Sequence, residues 1–232
     1  MDAAESRLIA IKNGLLLALA FTAGYIDALS YLGLGHVFTA NMTGNTVLLG
    51  IAIAQFDGGA IARSGLALAG FLAGVAVGAW IVERDYSETR WPRAVTLALT
   101  LESLILLAFA AGWLLARDAL ATATTTAVLI VLSALAMGVQ SAAVIRLEIT
   151  GIATTYLTGT LTNLVARLMG RSRRKSKPFR NSALLAAVWI IYIGGVVIAA
   201  VDLSQNLVLA LVLPVALLMV VVTIAAIVFR PR

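Results

Sequence analysis

The chain has 232 residues, of which 61% are hydrophobic and 12% are charged, and its mean hydropathy is +1.00. Soluble domains carry about 25% charged residues, because their surface faces water. The composition therefore excludes a soluble globular protein and a disordered chain, and it predicts a helical protein that crosses a membrane several times. The net charge of +6 does not indicate nucleic-acid binding, because the basic residues cluster beside apolar spans, as the positive-inside rule describes.

The residue inventory also excludes several kinds of site. Without cysteine the chain has no disulfide, no thiolate nucleophile and no cysteine-based metal site. The one histidine, His36, cannot form a multi-histidine metal site, and we expect it at the membrane interface. The sequence lacks a Gly-x-Ser-x-Gly elbow, a His-Glu-x-x-His pair and a Walker A loop. We therefore expect no enzyme, no bound metal and no cofactor.

Six apolar stretches are long enough to cross the hydrocarbon core, which requires about 20 helical residues. These predicted spans are 13–30, 64–82, 94–116, 119–145, 181–201 and 203–229. The first span follows Arg7 and Lys12 and is similar to the start of a signal peptide. It lacks an obvious small-x-small cleavage site and runs into Asp27, so we expect a retained helix.

Two further apolar stretches, 42–56 and 154–169, are rich in threonine, asparagine and glycine. Fifteen helical residues cover about 22 Å, whereas the hydrocarbon core is about 30 Å thick. We call these stretches the first and second Thr-Gly elements. Each is predicted to be either a tilted short helix or a re-entrant segment that enters and leaves on the same side.

The two halves of the chain are similar to each other. The pentapeptide Gly-Tyr-Ile-Asp-Ala at 24–28 corresponds to Gly-Val-Gln-Ser-Ala at 138–142, and the Thr-Gly elements follow each of them at nearly the same distance. The similarity predicts an all-α transmembrane bundle, a single membrane domain, with two internal repeats of about 115 residues, 1–116 and 117–232. If neither Thr-Gly element crosses the membrane, each repeat has three spans and the second is inverted.

Positive charges favour this inverted arrangement over eight crossings with parallel halves. Six crossings leave only Arg63 and Arg117 outside, whereas eight crossings leave four arginines there. The segment 171–180 carries six of the seventeen basic residues, so we expect it to face the cytoplasm together with both termini. A role of this segment in anionic-lipid binding or phosphorylation control is the alternative to a topology anchor.

Helices that begin inside a membrane leave N–H groups unpaired and carry partial positive charge at that end. Many secondary transporters place such helix starts around a midplane site. The two Thr-Gly elements and their preceding polar residues are therefore predicted to bind a small polar or anionic solute or an ion. The alternative is that they only join helices through hydrogen bonds and close packing. The candidate binding residues are Asp27, Asn41, Thr43, Gly44, Asn45, Gln140, Ser141, Thr158, Gly159, Thr160 and Asn163.

Two carboxylates within the spans are candidates for ion or proton coupling. An ionisable group inside a membrane is costly unless it is protonated, paired or in contact with water. Asp27 is the first candidate, and its alternatives are to cap a helix or to pair with Arg146. Glu102 is the second candidate, and its alternative is a simple interhelical hydrogen bond.

A ridge of small residues, Gly70, Gly74 and Gly78, follows one face of the second predicted span. Such a ridge allows another helix to approach closely. Packing within the monomer and formation of a homodimer are the two interpretations.

The segments 24–31 (Gly-Tyr-Ile-Asp-Ala-Leu-Ser-Tyr), 38–46 (Phe-Thr-Ala-Asn-Met-Thr-Gly-Asn-Thr) and 156–163 resemble the signature of the YoaK-like family of bacterial integral membrane proteins. The resemblance covers most of the chain. It implies a multi-pass protein of the bacterial cytoplasmic (inner) membrane, in contact with the lipid bilayer, and it does not indicate a substrate. Three functions therefore stay open: a small permease with alternating access, a channel of the same architecture, and a non-transporting scaffold or sensor.

Overall fold

A computed structural model describes residues 3–87, 89–116, 122–147 and 178–230, with the isolated positions 162 and 165; the side chains of 178–182 are not described. These residues contain helices and no strand. Six helices have the length and composition of membrane spans, which confirms the six predicted spans. Within the continuous described ranges the helices are α1 (Ala3–Gly33), α2 (Met42–Ala54), α3 (Gly58–Val82), α4 (Arg93–Leu115), α5 (Ala123–Arg146), α6 (Pro178–Gln205) and α7 (Leu207–Val228).

Helix α1 begins ten residues earlier than hydropathy predicts. Its 31 residues extend over about 46 Å, which exceeds the thickness of about 30 Å of a hydrocarbon core. The first turns, with Arg7 and Lys12, therefore reach beyond the apolar layer. The ammonium group of Lys12 donates to the carbonyl oxygen of Leu147 at 3.1 Å and ties this end of α1 to the end of α5.

Side-chain caps determine where several helices begin. Asn41, Asp57, Thr122 and Asn206 each accept a hydrogen bond from a backbone N–H in the first turn of α2, α3, α5 and α7. Such caps satisfy N–H groups that have no partner within the helix. The cap at Asn206 places the break between α6 and α7 four residues later than the break predicted after 201, because hydropathy alone does not register a cap.

Contacts between distant residues give the helix directions. Lys12 contacts Leu147, and the side chain of Gln140 donates to the carbonyl oxygen of Leu19 at 3.2 Å, so α1 and α5 are antiparallel. Leu185 packs beside Ala20, and Tyr192 lies against Gly24 farther along, so α6 runs parallel to α1.

Helix α3 runs parallel to α5, and a ridge of glycines brings them together. Gly70 faces Val131, and Gly78 faces Val139. At the centre of the ridge, a methyl group on Gly74 would lie 2.1 Å from the carbonyl oxygen of Leu135. The ridge is thus occupied by α5 of the same chain, as the monomer interpretation expects. It leaves no glycine face for the homodimer that the sequence also allowed.

The pair α1–α6 has the same kind of contact. A methyl group on Gly24 would lie 2.3 Å from the carbonyl oxygen of Tyr192, and one on Gly195 would lie 2.3 Å from that of Phe21. Both distances are far below van der Waals contact, so only glycine permits this helix spacing. Two close helix pairs, α1–α6 and α3–α5, thus form the bundle, with α4 and α7 packed alongside.

One face of the bundle brings together the start of α1, the α3–α4 loop and the ends of α5 and α7; we call it the N-terminal face. Arg90 in the loop forms an ion pair with Glu5 of α1. The ring of Trp91 stacks on Phe229 at 5.4 Å, just beyond the end of α7. The opposite face contains the end of α1 and the start of α3, where the guanidinium group of Arg63 donates to the carbonyl oxygen of Gly35 at 3.1 Å.

The glycine contacts predict that alanine substitutions at neighbouring glycines differ greatly in their effect on stability. We expect Gly74→Ala and Gly195→Ala to lower stability by about 1–3 kcal/mol or more, as overpacking does. Gly65→Ala in α3 and Gly194→Ala in α6 are matched controls, because an added methyl group would meet no atom within 4 Å at either position. Thermal unfolding of the detergent-purified variants measures the difference. Equal unfolding temperatures for all four variants would contradict the close helix spacing.

Candidate functional site

The candidate site is built around Asp27, which lies in α1 and has only 2% of its surface exposed. Its Oδ1 atom accepts hydrogen bonds from the backbone N–H groups of Thr39, Ala40 and Asn41 at 2.8, 2.7 and 3.3 Å. These three consecutive N–H groups directly precede α2, and we call them the amide cradle. Consecutive N–H groups that converge in this way form an anion-binding concavity. In this structure the anion in the cradle is the carboxylate of Asp27 itself.

The second carboxylate oxygen of Asp27 is also bonded. The hydroxyl group of Tyr192 in α6 donates to Oδ2 at 2.5 Å. Asp27 thus accepts four hydrogen bonds, which compensate for the removal of its charge from water. Because the donors belong to α6 and to the segment before α2, the carboxylate joins three parts of the chain.

A second bond of the same type connects the same two helices. The hydroxyl group of Tyr25 in α1 donates to Oδ2 of Asp202 in α6 at 2.8 Å. Each helix therefore supplies one tyrosine and one aspartate, and each tyrosine donates to the aspartate of the other helix. The close approach at Gly24 and Gly195 brings these partners within reach.

The segment before α2 is held by further side chains. Asn45 pairs with the backbone of Phe38 in both directions: its Oδ1 accepts from the N–H group at 2.9 Å, and its Nδ2 donates to the carbonyl oxygen. The hydroxyl groups of Ser30 and Thr39 are hydrogen-bonded at 3.0 Å. Irregular backbone in an apolar bundle must have its polar groups satisfied by the protein itself. These hydrogen bonds provide partners for the polar groups of this segment.

Four of the predicted site residues come together here, namely Asp27, Asn41, Gly44 and Asn45. Asn41 caps α2, since its Oδ1 accepts from the N–H of Gly44 at 3.3 Å. Thr43 and Asn45 lie inside α2, which begins at Met42, so neither of them is the cap. Thr43 is exposed, whereas Asn45 is buried against Phe38.

In the described part of the chain, Gln140 and Ser141 lie away from Asp27. Gln140 contacts Leu19, which precedes Asp27 by eight residues, or about 12 Å along α1. Ser141, the next residue of α5, is half-buried. The remaining predicted site residues lie outside the described part of the chain, so their placement stays a prediction: Thr158, Gly159, Thr160 and Asn163.

Asp27 does not pair with Arg146, which corrects one alternative from the sequence. The guanidinium group of Arg146 donates to the carbonyl oxygens of Asp85 and Ser87 at 2.8 and 3.0 Å, at the N-terminal face. Asp27 lies toward the other end of the bundle. The helix-capping alternative describes its hydrogen bonds better, because three of them come from the segment that leads into α2.

Glu102 lies in the middle of α4 and has no exposed surface. Neither of its carboxylate oxygens has a hydrogen-bond partner among the described residues. The interhelical bond that the sequence allowed is therefore not found in this part of the chain. Glu102 and Asp27 have opposite environments, since one carboxyl group is unpartnered and the other is fully bonded.

The sequence-based candidate list lacks five residues of these hydrogen bonds, namely Tyr25, Thr39, Ala40, Tyr192 and Asp202. Asp202 was hidden because the predicted break between the last two spans fell at this residue. Tyr192 gives no local signal, since its partner Asp27 is 165 residues away in the chain. A polar residue beside a glycine pair, Gly194-Gly195, is the one clue that α6 contains a close contact.

The fold and this site define a multi-pass helical membrane protein with a polar, hydrogen-bonded junction inside the bundle. Residues 15–224 match the family model described as "Protein of unknown function (DUF1275)". The chain is 41% identical over 194 residues to the UPF0700 transmembrane protein YoaK of Bacillus subtilis (strain 168), which covers 82% of this chain and 84% of that protein. The chain belongs to this family, and the resemblance to YoaK-like proteins is confirmed. No solved structure matches it.

The hydroxyl group of Tyr192 can be tested alone. We expect Tyr192→Phe to lower stability by about 1–3 kcal/mol, because it leaves a buried carboxylate with one donor fewer. Tyr31→Phe is the matched control, since the Tyr31 ring stacks on Phe38 and its hydroxyl group makes no hydrogen bond with the described residues. Thermal unfolding of both variants in the same detergent measures the effect. An equal loss in both would show that the Tyr192–Asp27 bond does not stabilise the fold.

Proposed function

We propose that the protein is a small secondary transporter, a permease for a small polar or anionic solute, and not an enzyme. One observation carries this proposal. Three consecutive backbone N–H groups form an anion cradle inside the bundle, at the start of a helix of 13 residues that is too short to span the membrane. Secondary transporters use interrupted helices of this kind to bind substrates.

The proposal includes a re-entrant first Thr-Gly element. Asp27 precedes Gly33, the last residue of α1, by six residues, or about 9 Å. The segment after α1 must return by this distance for Thr39, Ala40 and Asn41 to reach the carboxylate. Since α1 and α3 run in opposite directions, α2 then leads back to the face that it came from. This geometry supports six crossings.

We also propose that the two repeats are related by a pseudo-twofold axis, as inverted repeats require. The glycine contacts support it. Both close glycine contacts of the α1–α6 pair have a counterpart in the α3–α5 pair. The offset in sequence is the same for both residues of α1 and for both residues of α6, and the residue that approaches the carbonyl oxygen is again glycine. The matching pairs are Gly24 with Gly138, Phe21 with Leu135, Gly195 with Gly74, and Tyr192 with Phe71.

The positive-inside rule supports a cytoplasmic N-terminal face. Arg63 is at the opposite face, whereas the other seven lysines and arginines with described side chains lie toward the N-terminal face. The last residues of the basic segment 171–180 form the start of α6, which is at that face. For a family with a relative in Bacillus subtilis, this orientation corresponds to the cytoplasmic membrane of a bacterium.

In the proposed cycle, the cradle binds two anions in turn. The Asp27 carboxylate fills it in the conformation described here. When Asp27 withdraws, the same N–H groups bind the anionic group of a solute, and the exposed Thr43 in the first turn of α2 contacts it. The two close helix pairs then move against each other as rigid units, because their glycine contacts allow no internal adjustment.

Uptake by proteoliposomes tests the proposal. A panel of radiolabelled small carboxylates, inorganic phosphate, sulfate and zwitterionic amino acids identifies a responsive solute. We expect Asp27→Asn to reduce uptake of this solute at least tenfold. In the wild type one anion replaces another in the amide cradle, whereas in the variant an anion would replace a neutral group, and the charge in the cradle would no longer be conserved. Thr43→Val should raise the solute concentration needed for half-maximal uptake.

The control is Asp57→Asn, the same change at an exposed cap of α3, which should transport normally. Unchanged uptake in both Asp27→Asn and Thr43→Val would show that the binding site is assigned wrongly. Turnover far above about 10³ per second would indicate a channel rather than a carrier. If no solute of the panel binds or is taken up, the result would favour a non-transporting scaffold or sensor.

Glu102 is the proposed carrier of a coupling proton. An ionised carboxylate with no partner at full burial costs several kcal/mol, so the group is stable there only when it is protonated. We expect Glu102→Gln, which mimics the protonated acid, to abolish accumulation driven by a pH gradient while solute exchange at equal pH continues. Glu83→Gln, at an exposed position after α3, is the control. Full pH-driven accumulation in Glu102→Gln would exclude this role.

A further inference from the structure

A separate cleft of about 590 Å³ opens at the N-terminal face, between the α3–α4 loop, the start of α1 and the end of α7. We call it the interface cleft. Three arginines and one aspartate line it, namely Arg90, Arg93, Arg230 and Asp85, which leaves a net charge of +2. The stacked rings of Trp91 and Phe229 form its apolar wall. None of these residues belongs to the Asp27 cluster.

Two of the arginines are available for a ligand. Arg90 is already paired with Glu5. Arg93 and Arg230 are exposed and have neither a hydrogen bond nor an ion pair with the described residues. Their guanidinium groups present several N–H donors each, which is the chemistry that recognises phosphate oxygens.

The aspartate of the interface cleft offsets one of the three positive charges, and its oxygens are already bonded to the chain. Hydrogen bonds from the Ser87 side chain, and from the backbone N–H groups of Ser87 and Ala94, hold the pKa of Asp85 below its usual range. The two backbone bonds are 3.0 and 3.2 Å long. The carboxylate is thus ionised and engaged with the start of α4.

The interface cleft continues into an apolar groove of about 420 Å³ that shares Trp91, Arg93, Phe229 and Arg230 with it. The groove runs between α4 and α7 along Leu97 and Ala225, about one turn inside each helix. A cationic cleft at the end of the spans is therefore directly connected to an apolar channel at the level of the acyl chains. A soluble anion would use only the first of these features.

We propose that the interface cleft and its groove form a binding site for an anionic membrane lipid. The lipid phosphate contacts Arg93 and Arg230, and one acyl chain lies along the exposed residues Leu97 and Ala226. Phe229, which stacks on the buried ring of Trp91, is the surface for the glycerol region, where aromatic rings are favoured in membrane proteins. Basic residues at this level are attracted to anionic headgroups.

Native mass spectrometry of the full chain in detergent tests the proposal by titration with phosphatidylglycerol and phosphatidylcholine. We expect phosphatidylglycerol to bind at least fivefold more tightly. The double variant Arg93→Gln/Arg230→Gln should lose this preference. The control Arg7→Gln/Arg84→Gln removes the same charge from exposed arginines of the same face outside the cleft, and it should keep the preference.

The groove is tested by Ala226→Trp, which fills it from an exposed position of α7 and should weaken phosphatidylglycerol binding without a change of charge. Size-exclusion profiles and unfolding temperatures without added lipid verify that each variant folds. Displacement of phosphatidylglycerol by millimolar inorganic phosphate would identify a site for a soluble anion and overturn the lipid assignment. Equal binding of both lipids, or an equal loss in the two double variants, would overturn it as well.

Discussion

The carboxylate of Asp27 is the constraint on which the interior of the bundle depends. A charged group and an irregular segment of backbone are each unfavourable in an apolar layer, because water is not present to satisfy them. In this protein each satisfies the other: Thr39, Ala40 and Asn41 supply the N–H donors, and Asp27 supplies the acceptor. Neither the segment before α2 nor the buried carboxylate would be stable there without its counterpart.

This polar junction requires close helix packing. The hydroxyl group of Tyr192 reaches Asp27 at 2.5 Å because α1 and α6 touch at Gly24 and Gly195. The same kind of contact joins α3 and α5 at Gly74, yet no tyrosine–aspartate bond joins that pair among the described residues. Among the described residues, the two pairs thus share their packing but differ in polarity, and the tyrosine–aspartate bonds lie between α1 and α6.

The sequence predicted the spans well, because the thickness of the hydrocarbon core fixes the length of an apolar stretch. It predicted helix ends less well, because a hydropathy pattern does not detect caps such as Asn206 or helical turns made of charged residues, as at the start of α1. Asp27 was identified because a carboxylate in a span is conspicuous. Its partner Tyr192 could not be identified, because their contact depends on how α1 and α6 pack. The cap of α2, Asn41, could not be distinguished from its polar neighbours in sequence, since that distinction needs the first residue of the helix.

Hydrogen–deuterium exchange in lipid nanodiscs tests the central claim most directly, namely that Asp27 holds the amide cradle inside the bundle. Peptides that contain Thr39, Ala40 and Asn41 should exchange slowly in the wild-type protein and at least tenfold faster in Asp27→Asn, because a neutral acceptor binds N–H groups about half as strongly. Peptides from the start of α3 should be unchanged in that variant. Rapid exchange of the cradle in the wild type, or equal exchange in both proteins, would contradict the account.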